Sequence, residues 1–210
     1  MLLILDFVGV AVFAATGALA ASRRQLDIVA FVFFAAMTGV GGGTLRDLLL
    51  GVPVFWIANP AYVAVAVAVA VLVYFTAHLM ESRYRVLLWA DAVGLSAYAV
   101  MGAAKALAAG APPGISVAMG VMTATFGGIL RDVVAQEPSV MLRREVYITA
   151  ALAGAALFEV AARAGAPFWA AAAGGFAVAF AVRAGALMRG WTLPVYRPRA
   201  GRDPRDIPGL

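Results

Sequence analysis

Cysteine is absent from the 210-residue chain, so it has neither a disulfide nor a thiolate metal site to offer. Histidine occurs once, at His78, and a lone imidazole cannot build a clustered zinc or copper site. Charge is scarce as well. Only 13% of residues are Asp, Glu, Lys or Arg, against roughly a quarter in a soluble domain. No phosphate-binding glycine loop occurs, and no motif sets a nucleophile beside a base, so the residues point away from enzymatic chemistry and imply no cofactor. The N-terminus also lacks the basic flank and small-residue cleavage site of a secretory signal, and reads as a first membrane span.

What remains is apolar: 64% of the chain is hydrophobic, with a mean hydropathy of +0.93. This describes an all-α integral membrane protein. A bilayer core of about 30 Å takes roughly 20 apolar residues per helix. Charged, Pro and Gly-rich breaks divide the chain into seven runs at about 2–21, 28–50, 61–79, 86–109, 115–135, 146–162 and 168–187. Alternate connections carry Arg23 and Arg24, Arg83 and Arg85, Arg143 and Arg144, and a tail with Arg189, Arg197, Arg199, Arg202 and Arg205. The other connections carry only Arg163. The positive-inside rule then sets the C-terminus in the cytoplasm and the N-terminus outside, which an odd number of spans requires. The net charge of +5 is explained by this orientation and does not call for nucleic acid, because no aromatics interleave the basic residues. Residues 1–190 form one transmembrane domain, and 191–210, with Pro194, Pro198, Pro204 and Pro208 among basic residues, are expected to be a disordered cytoplasmic tail.

The organising feature is a repeat. MTGVGGGTLRD at 37–47 returns 85 residues later as MTATFGGILRD at 122–132. Residues 6–62 laid over 91–147 without a gap give 17 identities in 57 positions, including Asp6/Asp91, Gly17/Gly102, Thr38/Thr123, Pro53/Pro138 and Tyr62/Tyr147. Chance in an Ala- and Val-rich chain would return mainly Ala and Val, so this is an internal duplication. Each copy, at about 2–80 and 86–163, holds three spans. The second therefore enters the bilayer in the opposite sense, as an inverted repeat with a seventh helix at about 168–189. Sites in such folds lie where the two copies meet.

Five glycines and eight polar residues there are candidates for function. Gly41, Gly42 and Gly43 in the second span, and Gly127 and Gly128 in the fifth, are expected to break or kink their helices; close helix packing is the alternative. Arg46, Asp47, Arg131 and Asp132 are costly in a bilayer unless paired or wetted, and are read both as pore or gating groups and as helix-end neutralisation. Thr38, Thr44, Thr123 and Thr125 offer hydroxyls to a hydrated ion, although bonding to a carbonyl of their own helix is the more frequent role. Asp6 and Asp91 read as complements to helix dipoles, and Lys105, Glu159 and Arg183 as snorkelling groups, with Lys105 the strongest functional exception. Trp56, Trp89, Trp169 and Trp191 read as interface anchors.

The duplicated GVGGGTLRD and TFGGILRD motifs within two three-helix inverted repeats resemble the trimeric intracellular cation channel family in its prokaryotic form, over about residues 2–190. The resemblance implies a homotrimer in the bacterial inner membrane, surrounded by lipid. It also implies an hourglass pore in each protomer, framed by kinked second and fifth helices and passing monovalent cations, chiefly potassium. The pore would lie at Gly41, Gly42, Gly43, Gly127 and Gly128, beside Arg46, Asp47, Arg131 and Asp132. Phe126 stands where a third glycine would complete the second motif, and the basic lipid-binding motif of animal members is not evident. Related bacterial sequences are also described as transporters of small amino acids such as glycine, and broken helices suit that reading as well. A structural protein without a pore would leave the intramembrane Arg-Asp pairs without a reason.

Overall fold

The computed structural model describes residues 2–80, 82–138 and 146–194. The connection with Arg143 and Arg144 and the stretch 195–210 lie outside the described residues, and the expectations for them with it. All regular elements described are helical: α1 (Leu2–Arg23), α2 (Ile28–Leu50), α3 (Phe55–Ala58), α4 (Ala61–Thr76, extended by a 3-10 turn over Ala77–Leu79), α5 (Arg83–Ala108), α6 (Pro113–Val134), α7 (Ile148–Arg163) and α8 (Phe168–Arg189).

Local chemistry sets the ends. Asp27 caps α2 by accepting from the Ala30 N–H at 2.8 Å, and Gly51, in the left-handed region at φ +66°, closes it by donating to Asp47 and Leu48 carbonyls. Pro113 opens α6 at a position where a missing N–H costs nothing. The Ser82 side chain accepts from the Arg85 N–H, so α5 starts at Arg83, three residues earlier than hydropathy suggests. Arg83 and Arg85 thereby become the first turn of a helix instead of a loop. The four-residue α3 is not foreseen at all.

Among the described residues, six helices are long and apolar enough to cross a membrane. The 16 residues of α7 span about 24 Å, short of a bilayer core at 1.5 Å per residue.

Small residues bring the helices together. A methyl group placed on Gly17 would lie 2.3 Å from the Phe34 carbonyl oxygen, and one on Gly102 would lie 2.7 Å from that of Met119. These contacts join α1 to α2 and α5 to α6, and their residues differ by 85 throughout. Between α1 and α5 the Phe13 and Tyr98 rings meet at 5.1 Å, again 85 residues apart. Gly9 seats the Tyr98 ring and Gly94 seats that of Phe13. Lipid-like interiors provide no hydrophobic drive between helices, so close packing of this kind is what holds them.

Gly17→Ala and Gly102→Ala are each expected to destabilise the fold by about 1–3 kcal/mol through overpacking against backbone, whereas Gly114→Ala, which meets no neighbouring element within 4 Å, is neutral or stabilises by up to about 1 kcal/mol. Thermal unfolding in detergent measures all three.

Candidate functional site

The two duplicated motifs meet where α2 crosses α6. A methyl on Gly42 would lie 2.1 Å from the Thr123 carbonyl oxygen, and one on Gly127 would lie 2.5 Å from that of Thr38. Residue numbers rise along one helix as they fall along the other, so α2 and α6 run antiparallel and their Arg-Asp pairs point to opposite ends. Gly41 faces Leu130 and Gly127 across the same contact.

Neither helix unwinds. Both run as uninterrupted α-helix through their glycines, none of which adopts positive φ. Of the break or kink expected at these glycines and the close packing set against it, no break is present: the glycines bring two backbones into contact, and unbroken hydrogen bonding keeps their carbonyls satisfied. The last glycine of each run seats an aromatic side chain. Gly43 lies under the Phe55 ring and Gly128 against the Tyr147 hydroxyl, with would-be methyl distances of 2.6 and 2.8 Å. The threonines follow the simpler expectation: Thr44, Thr123 and Thr125 donate to the carbonyls of Val40, Met119 and Val121 at 2.7, 2.6 and 2.9 Å. Thr38 is buried beside Gly17.

One end of the crossing is closed by a four-charge cluster. Arg46, 1% exposed, reaches Asp47 Oδ1 through Nε at 2.7 Å and through a terminal nitrogen at 2.6 Å. Asp47 Oδ2 accepts from the Phe55 N–H at 2.9 Å, which fixes the start of α3 over the cluster. Trp56 Nε1 donates to Thr44 Oγ1 at 2.8 Å and pins α3 a second time. Beside them Lys105 Nζ pairs with Asp6 at 2.5 Å and lies 5.2 Å from the Phe55 ring centre. Phe7 stacks on Tyr62 at 4.2 Å, and the Tyr62 hydroxyl lies in the field of Asp6, Arg46 and Asp47.

The other end repeats the plan with different partners. Arg131, also 1% exposed, binds Asp132 through Nε at 2.9 Å and Asp91 through Nη1 at 2.8 Å. Tyr147 stands at the centre as Tyr62 does in the first cluster, in the field of Asp91, Arg131, Arg183 and Asp132. The Arg183 guanidinium lies over its ring at 5.1 Å. Asp91 and Lys105 both sit on α5, 14 residues apart, so the clusters are about 21 Å apart along it.

Four expectations change with this geometry. Asp6 and Asp91 are ion-pair partners, not dipole complements, and Lys105 is bound to Asp6 instead of reaching for an interface. Arg183 is fully buried, and Glu159 is buried against Arg163, which it meets at 2.6 Å; neither snorkels. Tyr62 and Tyr147 were legible only as identities in the repeat. Phe55 and Arg183 have no identical counterpart, so nothing in the duplication marks them.

Comparison with known proteins finds relatives in sequence and in fold. A family model described as Glycine transporter matches residues 3–78 and 88–163, one stretch for each half. The UPF0126 inner membrane protein YadS of Escherichia coli is 42% identical over 155 residues, covering 71% of this chain and 73% of that protein. A UPF0126 membrane protein of Vibrio cholerae is 36% identical over 201 residues, covering 93% and 83%. Among solved structures, a trimeric intracellular cation channel orthologue from Rhodobacter sphaeroides superposes with a TM-score of 0.88 at 56% identity, covering 90% of this chain and 98% of that one. A prokaryotic channel of the same kind, determined in 0.5 M KCl, gives 0.84 at 28% identity over 91% and 98%.

Breaking a buried ion pair from one side costs about 3–5 kcal/mol. Asp91→Asn is therefore expected to destabilise the protein by that order, because Arg131 is buried. Asp6→Asn costs clearly less, since Lys105 keeps 23% of its side chain exposed and can turn to water. Thermal unfolding of the two variants in detergent ranks them.

Proposed function

We propose that this chain, which belongs to the membrane-protein family described as Glycine transporter and shares the fold of prokaryotic trimeric intracellular cation channels, passes monovalent cations, chiefly potassium, through each protomer. The observation that carries the reading is the antiparallel crossing of α2 and α6 with a compensated charge cluster at each end. It occurs in a chain 56% identical, over 90% of its length, to a cation channel orthologue.

The path runs beside the crossing. Gly41, Gly42, Gly43, Gly127 and Gly128 form its narrow part, and bending of α2 or α6 at these glycines opens it. Thr38, Thr44 and Thr123 line it, and Arg46, Asp47, Lys105, Arg131 and Asp132 stand at its mouths. Carboxylates attract an arriving cation, and the neighbouring guanidinium and ammonium groups keep it from binding too tightly to leave. Ionised groups at membrane depth cost several kcal/mol unless paired or wetted, and a water-filled mouth is the setting that uses them.

In this reading α7 is the seventh span, tilted or in a locally thinned bilayer. The halves α1–α4 and α5–α7 are an inverted repeat; the contacts of Gly17 with Phe34, Gly102 with Met119, Gly42 with Thr123 and Gly127 with Thr38 support it, all related by a shift of 85. The protein is a homotrimer in the bacterial inner membrane, with the N-terminus outside and the Pro- and Arg-rich tail in the cytoplasm. Lipid covers outward apolar side chains such as Leu72 and Phe75.

A second reading, secondary transport of glycine, is favoured by the family description itself. The two differ in mechanism: a channel keeps a continuous path, whereas a transporter must rock its halves about a bound solute. Purified protein in planar bilayers under a potassium chloride gradient decides between them. Unitary currents reversing near the potassium potential are expected, and glycine leaves them unchanged. Silent bilayers together with saturable glycine uptake into proteoliposomes would replace the channel reading with the transporter.

A further inference from the structure

The two clusters hold matching charges but recruit them differently. Among the described residues, the first contains Asp6, Asp47 and Arg46 with Lys105, and the second contains Asp91, Asp132 and Arg131 with Arg183. Three members of each set correspond through the shift of 85; the fourth does not. Lys105 corresponds to Ala20, and Arg183 stands on α8, beyond the duplicated stretch. Each half thus holds two carboxylates and one arginine of its own and receives its second cation from a helix outside that half: α5 for the first, α8 for the second.

Arg183 is built into its place. It is completely buried, donates from Nη1 to the Val146 carbonyl at 3.3 Å and covers the Tyr147 ring at 5.1 Å. Tyr147 in turn puts its hydroxyl against Gly128, in the field of all four charges. A buried arginine that only tied α8 to α7 would add the cost of desolvating a charge to a contact that small apolar residues make readily. Gly175 and Gly154 already make such a contact between these helices, since a methyl on Gly154 would lie 2.6 Å from the Gly175 carbonyl oxygen.

We propose that Arg183 sets ion passage at the second mouth: it balances Asp91 and Asp132 together with Arg131, and positions Tyr147 over Gly128, as Lys105 balances the first mouth. The inference rests on the conduction reading and adds to it a function for α8. It has an electrical consequence that a structural role lacks. Because the clusters are about 21 Å apart along α5, at opposite ends of the crossing, removing a positive charge from one or the other tilts the energy profile for a cation in opposite directions.

The test compares current-voltage curves of the trimer in planar bilayers with equal potassium chloride on both sides. Arg183→Gln is expected to make the current rectify at least twofold, and Lys105→Gln to rectify in the opposite sense. Arg183→Lys keeps the charge and therefore the symmetry of the curve, while the size of the current changes with the loss of the guanidinium over Tyr147. Arg183→Gln combined with Asp132→Asn restores charge balance and returns the curve toward wild type; it also supplies a neutralised cluster if the single variant does not assemble. Loss of stability in Arg183→Gln with an unchanged current-voltage shape, or rectification of the same sign in both single variants, would overturn the proposal. A wild-type protein without current would be a failure of the conduction reading itself, and this inference would fall with it.

Discussion

The constraint on which the rest of this molecule depends is the compensation of charge in an apolar interior. Arg46, Arg131 and Arg183 are among its largest fully buried side chains. None could stay ionised there without carboxylates, carbonyls or aromatic faces within contact distance. Asp47 satisfies this need for Arg46, and its remaining oxygen anchors α3. Asp91 and Asp132 satisfy it for Arg131 from two different helices. The helices are therefore held in register by electrostatic demands at both ends, and small residues between those ends let the backbones approach closely enough to meet them.

Packing and charge are linked at single residues. Gly43 and Gly128 each stand three positions before an arginine, and each seats an aromatic side chain that reaches over the charged cluster. Phe55 comes from α3 and Tyr147 from the start of α7, so the two clusters have the same plan and different covers. The shift of 85 relates the charged residues the two clusters share, but not their covers: Phe55 corresponds to Val140, and Tyr62, the identical counterpart of Tyr147, stacks on Phe7.

Much of this was legible in the sequence, for identifiable reasons. Six membrane-length helices follow from apolar runs, and the α2–α6 contact from Gly-Gly and Arg-Asp pairs that chance does not duplicate. Partners were harder to read. Asp6 and Asp91 sit near helix starts, where a dipole accounts for a carboxylate without any partner, and only the fold brings Lys105 and Arg131 to them. Arg183 lies late in an apolar helix, where snorkelling and burial look alike until the neighbouring helices are in place. The four residues of α3 are too few to show a period, and its anchor, Asp47, comes from the preceding helix. The glycine runs suggested interruption because their cost in an isolated helix is real; contact between α2 and α6 offsets it, and the helices continue.

In the proposed mechanism ions cross inside each protomer, beside the α2 and α6 crossing, and not along an axis shared between subunits. Because the chain has no cysteine, Thr44→Cys introduces one unique thiol per subunit beside the first charge cluster. A positively charged, membrane-impermeant thiol reagent is then applied to a single trimer during bilayer recording. With one pore in each protomer of a trimer, the current falls in three equal, irreversible steps, one for each modified protomer. A single step that removes all current, or no block despite complete labelling, would contradict it.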